Sequence, residues 1–206
     1  MISQNNGDPV FSNLIRARAQ TLLNLMAGVL GKIGFTPNLL TVIGFIAMCG
    51  IGVVLAFGNF ALGGVLIIVA GVLDALDGSL ARLTNRVSKF GAFLDSTTDR
   101  LAEGAIYFGI LYAFMQRGMN WVAYLIFFAL LGSLMVSYAR ARAEGIGVEM
   151  KEGMLTRFER IALLVIGLIL TAFFGDLPIL IVLGILAVFT NLTALQRMWL
   201  VYRATK

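Results

Sequence analysis

Four aspartates, Asp74, Asp77, Asp95 and Asp99, interrupt stretches of otherwise largely apolar sequence. Asp74 and Asp77 are three residues apart and Asp95 and Asp99 four apart, so in helical conformation each pair projects from one face of its segment. Carboxylates gathered at one point repel one another unless a cation neutralises them. The chain has no histidine, and its single cysteine, Cys49, lies inside an apolar run. Histidine bases, Ser–His–Asp triads and His- or Cys-ligated metal are therefore excluded. Hard oxygen donors alone favour magnesium, manganese or calcium, and a divalent site follows, two-metal in form. The competing reading makes the aspartates ion-pair partners of Arg82, Arg86 or Arg100, a task that does not require this spacing.

The elements that must position these side chains are membrane helices. Of 206 residues, 59% are apolar and only 13% charged, against roughly 25% charged in a soluble domain. Apolar runs near the ~20 residues needed to cross hydrocarbon predict six spans, at about 39–57, 60–79, 92–115, 121–139, 161–175 and 177–196. The aspartates then fall near one end of the second and third spans, which run antiparallel and can bring them together. A charge at bilayer depth costs about 2.5–3.5 kcal/mol even on lenient scales, which marks such residues as functional. All but Arg117 of the 16 lysines and arginines lie in segments facing one side. The positive-inside rule makes that side the cytoplasm and puts both termini there, with the cell membrane as the location.

The expected fold is an all-α integral membrane bundle of six transmembrane helices with an N-terminal juxtamembrane amphipathic helix. Residues 1–38 form the cytoplasmic N-terminal segment and 39–206 the membrane domain. Between Phe11 and Leu30, Phe11, Leu14, Ile15, Leu22, Met26 and Val29 recur at helical spacing beside Arg16, Arg18 and Gln20, as in a helix lying in the interface or packed on the bundle. The polar start with Gly7, Asp8 and Pro9 does not resemble a cleavable signal peptide. The net charge of +5 is spread over loops and does not form a nucleic-acid surface. It suits anionic lipid or a phosphate-bearing substrate.

The residues Asp74-x2-Asp77-Gly78-x2-Ala81-Arg82-x8-Gly91-x3-Asp95-x3-Asp99 match the signature of the CDP-alcohol phosphotransferase family, which this chain resembles. The resemblance implies that Asp74, Asp77 and Asp95 ligate metal and that Asp99 joins them while accepting the proton of the acceptor hydroxyl. Two Mg2+ ions are the implied cofactors, with Mn2+ an alternative. Thr41, Asp74, Asp77, Gly78, Ala81, Arg82 and Gly91 would hold the CDP moiety. Attack on the lipid-side phosphorus would then release CMP. A homodimer is also implied.

The segments Ser137-Tyr138-Ala139-Arg140-Ala141-Arg142-Ala143-Glu144 and Arg157-Phe158-Glu159-Arg160 resemble those of bacterial phosphatidylinositol-phosphate synthases. Arg140 stands where these have lysine and Phe158 where they have proline. This implies CDP-diacylglycerol as donor and inositol 1-phosphate as acceptor. A phosphorylated acceptor needs cations beside the aspartates, and Arg140, Arg157 and Arg197 are the candidates; as topology markers or partners of Glu144 and Glu159 they would need no ligand. The alternative within the family is phosphatidylglycerophosphate synthase, with glycerol 3-phosphate as acceptor; the lipid tails are open, an archaeal-type ether lipid included. Outside the family, a cation- or proton-coupled transporter would place its carboxylates near the midplane. Aspartate-rich prenyltransferases lack the Asp-Gly-x2-Ala-Arg portion.

Overall fold

The computed structural model describes residues 10–150 and 153–206. Among them are seven helices and no strand: α1 (Val10–Lys32), α2 (Pro37–Ala56), α3 (Phe60–Leu83), α4 (Lys89–Gln116), α5 (Val122–Gly145), α6 (Arg157–Phe174) and α7 (Leu177–Ala204). The fold is all-helical, as expected, and each expected span lies on one of α2 to α7. The sequence before Val10 lies outside the described residues, as do the side chains of Phe11, Leu14, Ile15 and Arg16.

Four helices, α2, α3, α5 and α7, are long and apolar enough to cross a membrane. The two helices that hold the other expected spans carry more charge: Asp95, Asp99, Arg100 and Glu103 on α4, and Arg157, Glu159 and Arg160 in the first turn of α6, ahead of the expected 161–175. Several helices outrun the apolar segments that define them. At 1.5 Å per residue, the 28 residues of α7 reach about 42 Å, beyond a hydrocarbon core of roughly 30 Å. Arg140 and Arg142 therefore sit in the last turns of α5, and Arg197 and Arg203 in those of α7.

The chain divides into two compact units. One comprises residues 1–44 and 71–98; the other comprises 45–70 and 99–206. In the first, Ala27, Leu40, Leu76 and Leu80 form a small core, joined by Leu23, Leu30, Phe35 and Leu73. Another face of α1 leaves Leu22, Leu25, Met26 and Val29 exposed, the face an interfacial helix turns toward acyl chains. Gly34 adopts a left-handed conformation (φ 93°), and Phe35 N–H donates to Leu30 O at 3.1 Å, which closes α1. Thr36 Oγ1 then accepts from Leu39 N–H at 3.3 Å, and Pro37 opens α2. The local chemistry of Gly34 to Pro37 thus sets where Thr41 projects, in the second turn of α2.

The second unit is built on Leu55, Ile110, Phe114, Leu168, Ile179, Leu183 and Leu186, none with measurable exposure. Gly52 and Gly109 let α2 and α4 touch backbone to backbone: a Cβ on Gly109 would collide with the Gly52 carbonyl, and one on Gly52 would lie 2.6 Å from Ala105 O. Phe108, Phe127, Ile166 and Val188 are more than half exposed, a surface suited to lipid. At the α4–α5 turn, Arg117 Nη1 donates to both carboxylate oxygens of Asp176, at 2.7 and 2.8 Å, and the guanidinium stacks over Phe60.

Candidate active site

In the first unit, Thr41, Asp77, Gly78, Ala81, Arg82 and Gly91 all line one cavity of about 330 Å³, together with Asn38 and Asp95. Left-handed Asn85 (φ 53°) and the Arg86 N–H bond to Ala81 O (2.9 Å) end α3. Ser88 Oγ accepts from Gly91 N–H at 2.9 Å and opens α4. This short, doubly capped turn brings Gly91 opposite Asn38, where a Cβ would stand 3.1 Å from Asn38 Oδ1. A Cβ on Gly78 would instead meet only the Arg82 guanidinium, at 3.4 Å and beyond. The space beside Gly78 is open to a ligand, and Arg82 lies within reach of it.

Asp77 is 8% exposed, and Thr41 Oγ1 donates to its Oδ2 at 2.6 Å. That bond fixes the carboxylate's rotamer and leaves Oδ1 to other partners. α4 is unbroken, so Asp95 and Asp99 share a face one turn apart. One carboxylate oxygen from each of Asp74, Asp95 and Asp99 lies within 4.8 Å of the others, and Asp77 does not enter this trio. Three converging carboxylates, with no nitrogen or sulfur ligand grouped with them among the described residues, offer the oxygen donors a hard divalent cation favours.

Asp99, with its side chain 11% exposed, faces two cations. Arg157 Nη2 donates to Oδ1 at 2.5 Å, and Arg100 Nη1 stands 3.6 Å from Oδ2. Of the arginines considered as structural partners for the aspartates, Arg82 donates to Ser79 Oγ at 3.2 Å and Arg86 lines the cavity. Arg157 opens α6, whose first turn is held by a capping box. Thr156 N–H donates to Glu159 Oε2 at 2.6 Å while the Thr156 hydroxyl accepts from the Glu159 backbone N–H. These bonds hold the exposed Glu159 carboxyl below its usual range.

The three arginines expected at the acceptor's phosphate have different surroundings. Exposed Arg140 bonds Glu144 at 2.8 Å, Arg157 lies on Asp99, and Arg197, 4% exposed, donates to Val136 O at 2.7 Å. Arg140 and Arg160 are close enough to act electrostatically on Arg197. Glu144 acts on it with the opposite sign, so the charge gathered around Arg197 is mixed. Glu103 received no role in the sequence reading. It lies one turn beyond Asp99, its side chain 15% exposed and 3.7 Å from buried Arg160. Its i+4 spacing from Asp99 inside an apolar segment was the available signal.

Comparison with known proteins agrees with this geometry. Residues 35–201 match the family model for CDP-alcohol phosphatidyltransferases. An archaetidylinositol phosphate synthase of Pyrococcus horikoshii is 39% identical over 193 residues, 93% of this chain and 95% of that protein. The structure of Mycobacterium tuberculosis phosphatidylinositol phosphate synthase with CDP-DAG bound superposes with a TM-score of 0.82 at 29% identity, covering 88% of this chain and 94% of that one. The same enzyme in complex with manganese and citrate gives 0.79 at 27% identity over 87% and 88% of the two chains. The chain is therefore an integral membrane enzyme of the CDP-alcohol phosphatidyltransferase family.

Proposed function

We propose that this enzyme transfers a phosphatidyl group from CDP-diacylglycerol to inositol 1-phosphate, giving phosphatidylinositol phosphate and CMP. The observation that carries the reading is the cavity that gathers the signature residues Asp77, Gly78, Ala81, Arg82, Gly91 and Asp95. The mycobacterial relative, with CDP-DAG bound, and the Pyrococcus relative, named for an inositol phosphate product, support donor and acceptor class.

In this reading Gly78, Ala81 and Gly91 leave room for the cytidine diphosphate and Arg82 pairs with its phosphates. Asp74, Asp77, Asp95 and Asp99 would hold two Mg2+ ions, or Mn2+. When bound, these supply charge neutralisation at the diphosphate. Asp99 takes the proton of the acceptor hydroxyl. As that oxygen bonds to the lipid-bearing phosphorus, the bond from this phosphorus to the bridging oxygen breaks and CMP departs. Thr41 holds Asp77 in one rotamer throughout. Arg140, Arg157 and Arg197 receive the acceptor's phosphate, with Arg157 moving from Asp99 to do so.

The same reading makes α2 to α7 six spans over residues 39–206, with residues 1–38 as an interfacial segment. α4 and α6 complete the count, their charged ends meeting at the site. Both termini and the site face the cytoplasm of the cell membrane, by the distribution of lysine and arginine. The Gly-rich helix faces suit a homodimer.

For the donor's tails, the Pyrococcus relative favours a second reading, an archaeal-type ether lipid. The test is CMP release by purified enzyme with magnesium, CDP-diacylglycerol or its dialkyl ether counterpart, and inositol 1-phosphate, inositol or glycerol 3-phosphate. Inositol 1-phosphate should turn over fastest. Equal or faster release with glycerol 3-phosphate rejects the acceptor assignment.

A further inference from the structure

α4 and α6 meet through two ion pairs stacked like rungs. Asp99 and Glu103 are four residues apart on α4; Arg157 and Arg160 are three apart on α6. Each pair of positions therefore shares a helix face. Arg157 bonds Asp99 at the outer rung, where its side chain is 38% exposed. At the inner rung, Arg160 Nε lies 3.7 Å from Glu103 Oε1, with the arginine side chain only 2% exposed. Among the described residues, Arg160 Nε and Nη2 have no hydrogen-bond partner. A cavity of about 40 Å³ adjoins them, lined by Asp99, Glu103, Tyr107, Arg157 and Arg160, and has room for about two or three waters.

Stability alone gives little reason for such a pair. Burying a guanidinium with two unpaired nitrogens is costly, and apolar residues of similar volume commonly serve a fold as well or better. What an ion pair adds is register. A hydrophobic contact tolerates sliding of one helix along another, whereas two charges have one favourable alignment.

We propose that Glu103 and Arg160 form a positioning pair for the acceptor side of the reaction, fixing the first turn of α6 on α4 so that Arg157 is held in line with Asp99. This rests on the reading in which Arg157 receives the acceptor's phosphate. In this role Glu103 and Arg160 act through Arg157 and not on the substrate directly. The capping box of Thr156 and Glu159 secures the backbone of the same turn, so the point from which the Arg157 side chain reaches is fixed.

The experiment compares full-length Glu103→Gln, Arg160→Lys and the double variant Glu103→Leu/Arg160→Met with native enzyme, using magnesium, CDP-diacylglycerol and inositol 1-phosphate. The acceptor KM should rise about tenfold in Glu103→Gln and in the double variant, while kcat stays within about threefold. Arg160→Lys, which keeps the charge, should fall between native and double variant. Affinity for CDP-diacylglycerol, measured by direct binding, should be unchanged. The double variant should melt no lower than native, because apolar replacement of a buried pair is commonly neutral or stabilising.

An unchanged acceptor KM in the double variant overturns the proposal, as does a parallel loss of donor affinity. Should Glu103→Gln fail to fold, the double variant decides alone. The Arg157→Lys variant separates the two claims. A raised acceptor KM there with none in the pair variants sinks the positioning role only, whereas no change in Arg157→Lys sinks the phosphate assignment beneath it.

Discussion

Arg157 Nη2 sits 2.5 Å from Asp99 Oδ1, so the cation expected at the acceptor's phosphate rests on the carboxylate expected to take the acceptor's proton. One guanidinium thus links the two tasks the acceptor requires. Its side chain is 38% exposed against 11% for Asp99, so a ligand arriving from solvent meets Arg157 first. Arg157→Lys keeps the charge but loses the planar fork. The acceptor KM in CMP-release kinetics should rise about tenfold, equivalent to ~1.4 kcal/mol; an unchanged value removes Arg157 from the phosphate site.

Asp99→Asn preserves shape and removes the proton acceptor. Turnover should fall by about 10² to 10⁴. Cytidine nucleotide binding, which we assign to the cavity around Asp77, Gly78 and Arg82, should remain near native when measured by calorimetry. Near-normal turnover eliminates Asp99 as the base.

Thr41 reaches the reaction through Asp77, to which it donates at 2.6 Å. Thr41→Val keeps the branched shape and loses the hydroxyl. Outer-shell partners of ligating carboxylates are commonly worth 10–100-fold in metal affinity or activity, so the magnesium concentration for half-maximal activity should rise about tenfold. The acceptor KM should stay fixed. No shift in the magnesium requirement means Asp77 is held well enough without its partner.

Arg117 lies in the α4–α5 turn and has no part in the chemistry. It ties that turn to Asp176 in the α6–α7 turn and stacks on Phe60 at 4.9 Å. Both ion-pair side chains are about one-third exposed, so solvent screening limits the pair to roughly 1 kcal/mol. Arg117→Ala should lower Tm by about 2–4 °C while kcat per folded molecule is unchanged.

The helices and the aspartate pairs were legible because both obey local rules. Apolar runs mark α2 to α7, four of them long and apolar enough to cross a membrane, and spacings of three and four put carboxylates on one face. The break at Gly34 to Pro37 reads directly as cap and proline chemistry. Helix ends were less legible: α5 continues to Gly145 and α7 to Ala204, since charged residues that end an apolar run do not end a helix. Partner choice was the least legible. Arg140 does pair with Glu144, four residues on, but Arg157 pairs with Asp99, 58 residues away, and Arg160 with Glu103. Such pairs depend on how α4 and α6 pack, which no spacing within either helix reports. Asp77 likewise stands with Thr41 outside the carboxylate trio, because its rotamer is set by a residue on α2.

The central claim is that the clustered carboxylates work only around a hard divalent cation. Purified enzyme should be stripped by exhaustive chelation, supplied with CDP-diacylglycerol and inositol 1-phosphate, and assayed for CMP before and after titration with magnesium or manganese. CMP release should vanish on stripping and return with either metal, and Asp74→Asn or Asp95→Asn should need far more metal for the same rate. Undiminished CMP release from fully stripped enzyme would contradict the claim outright.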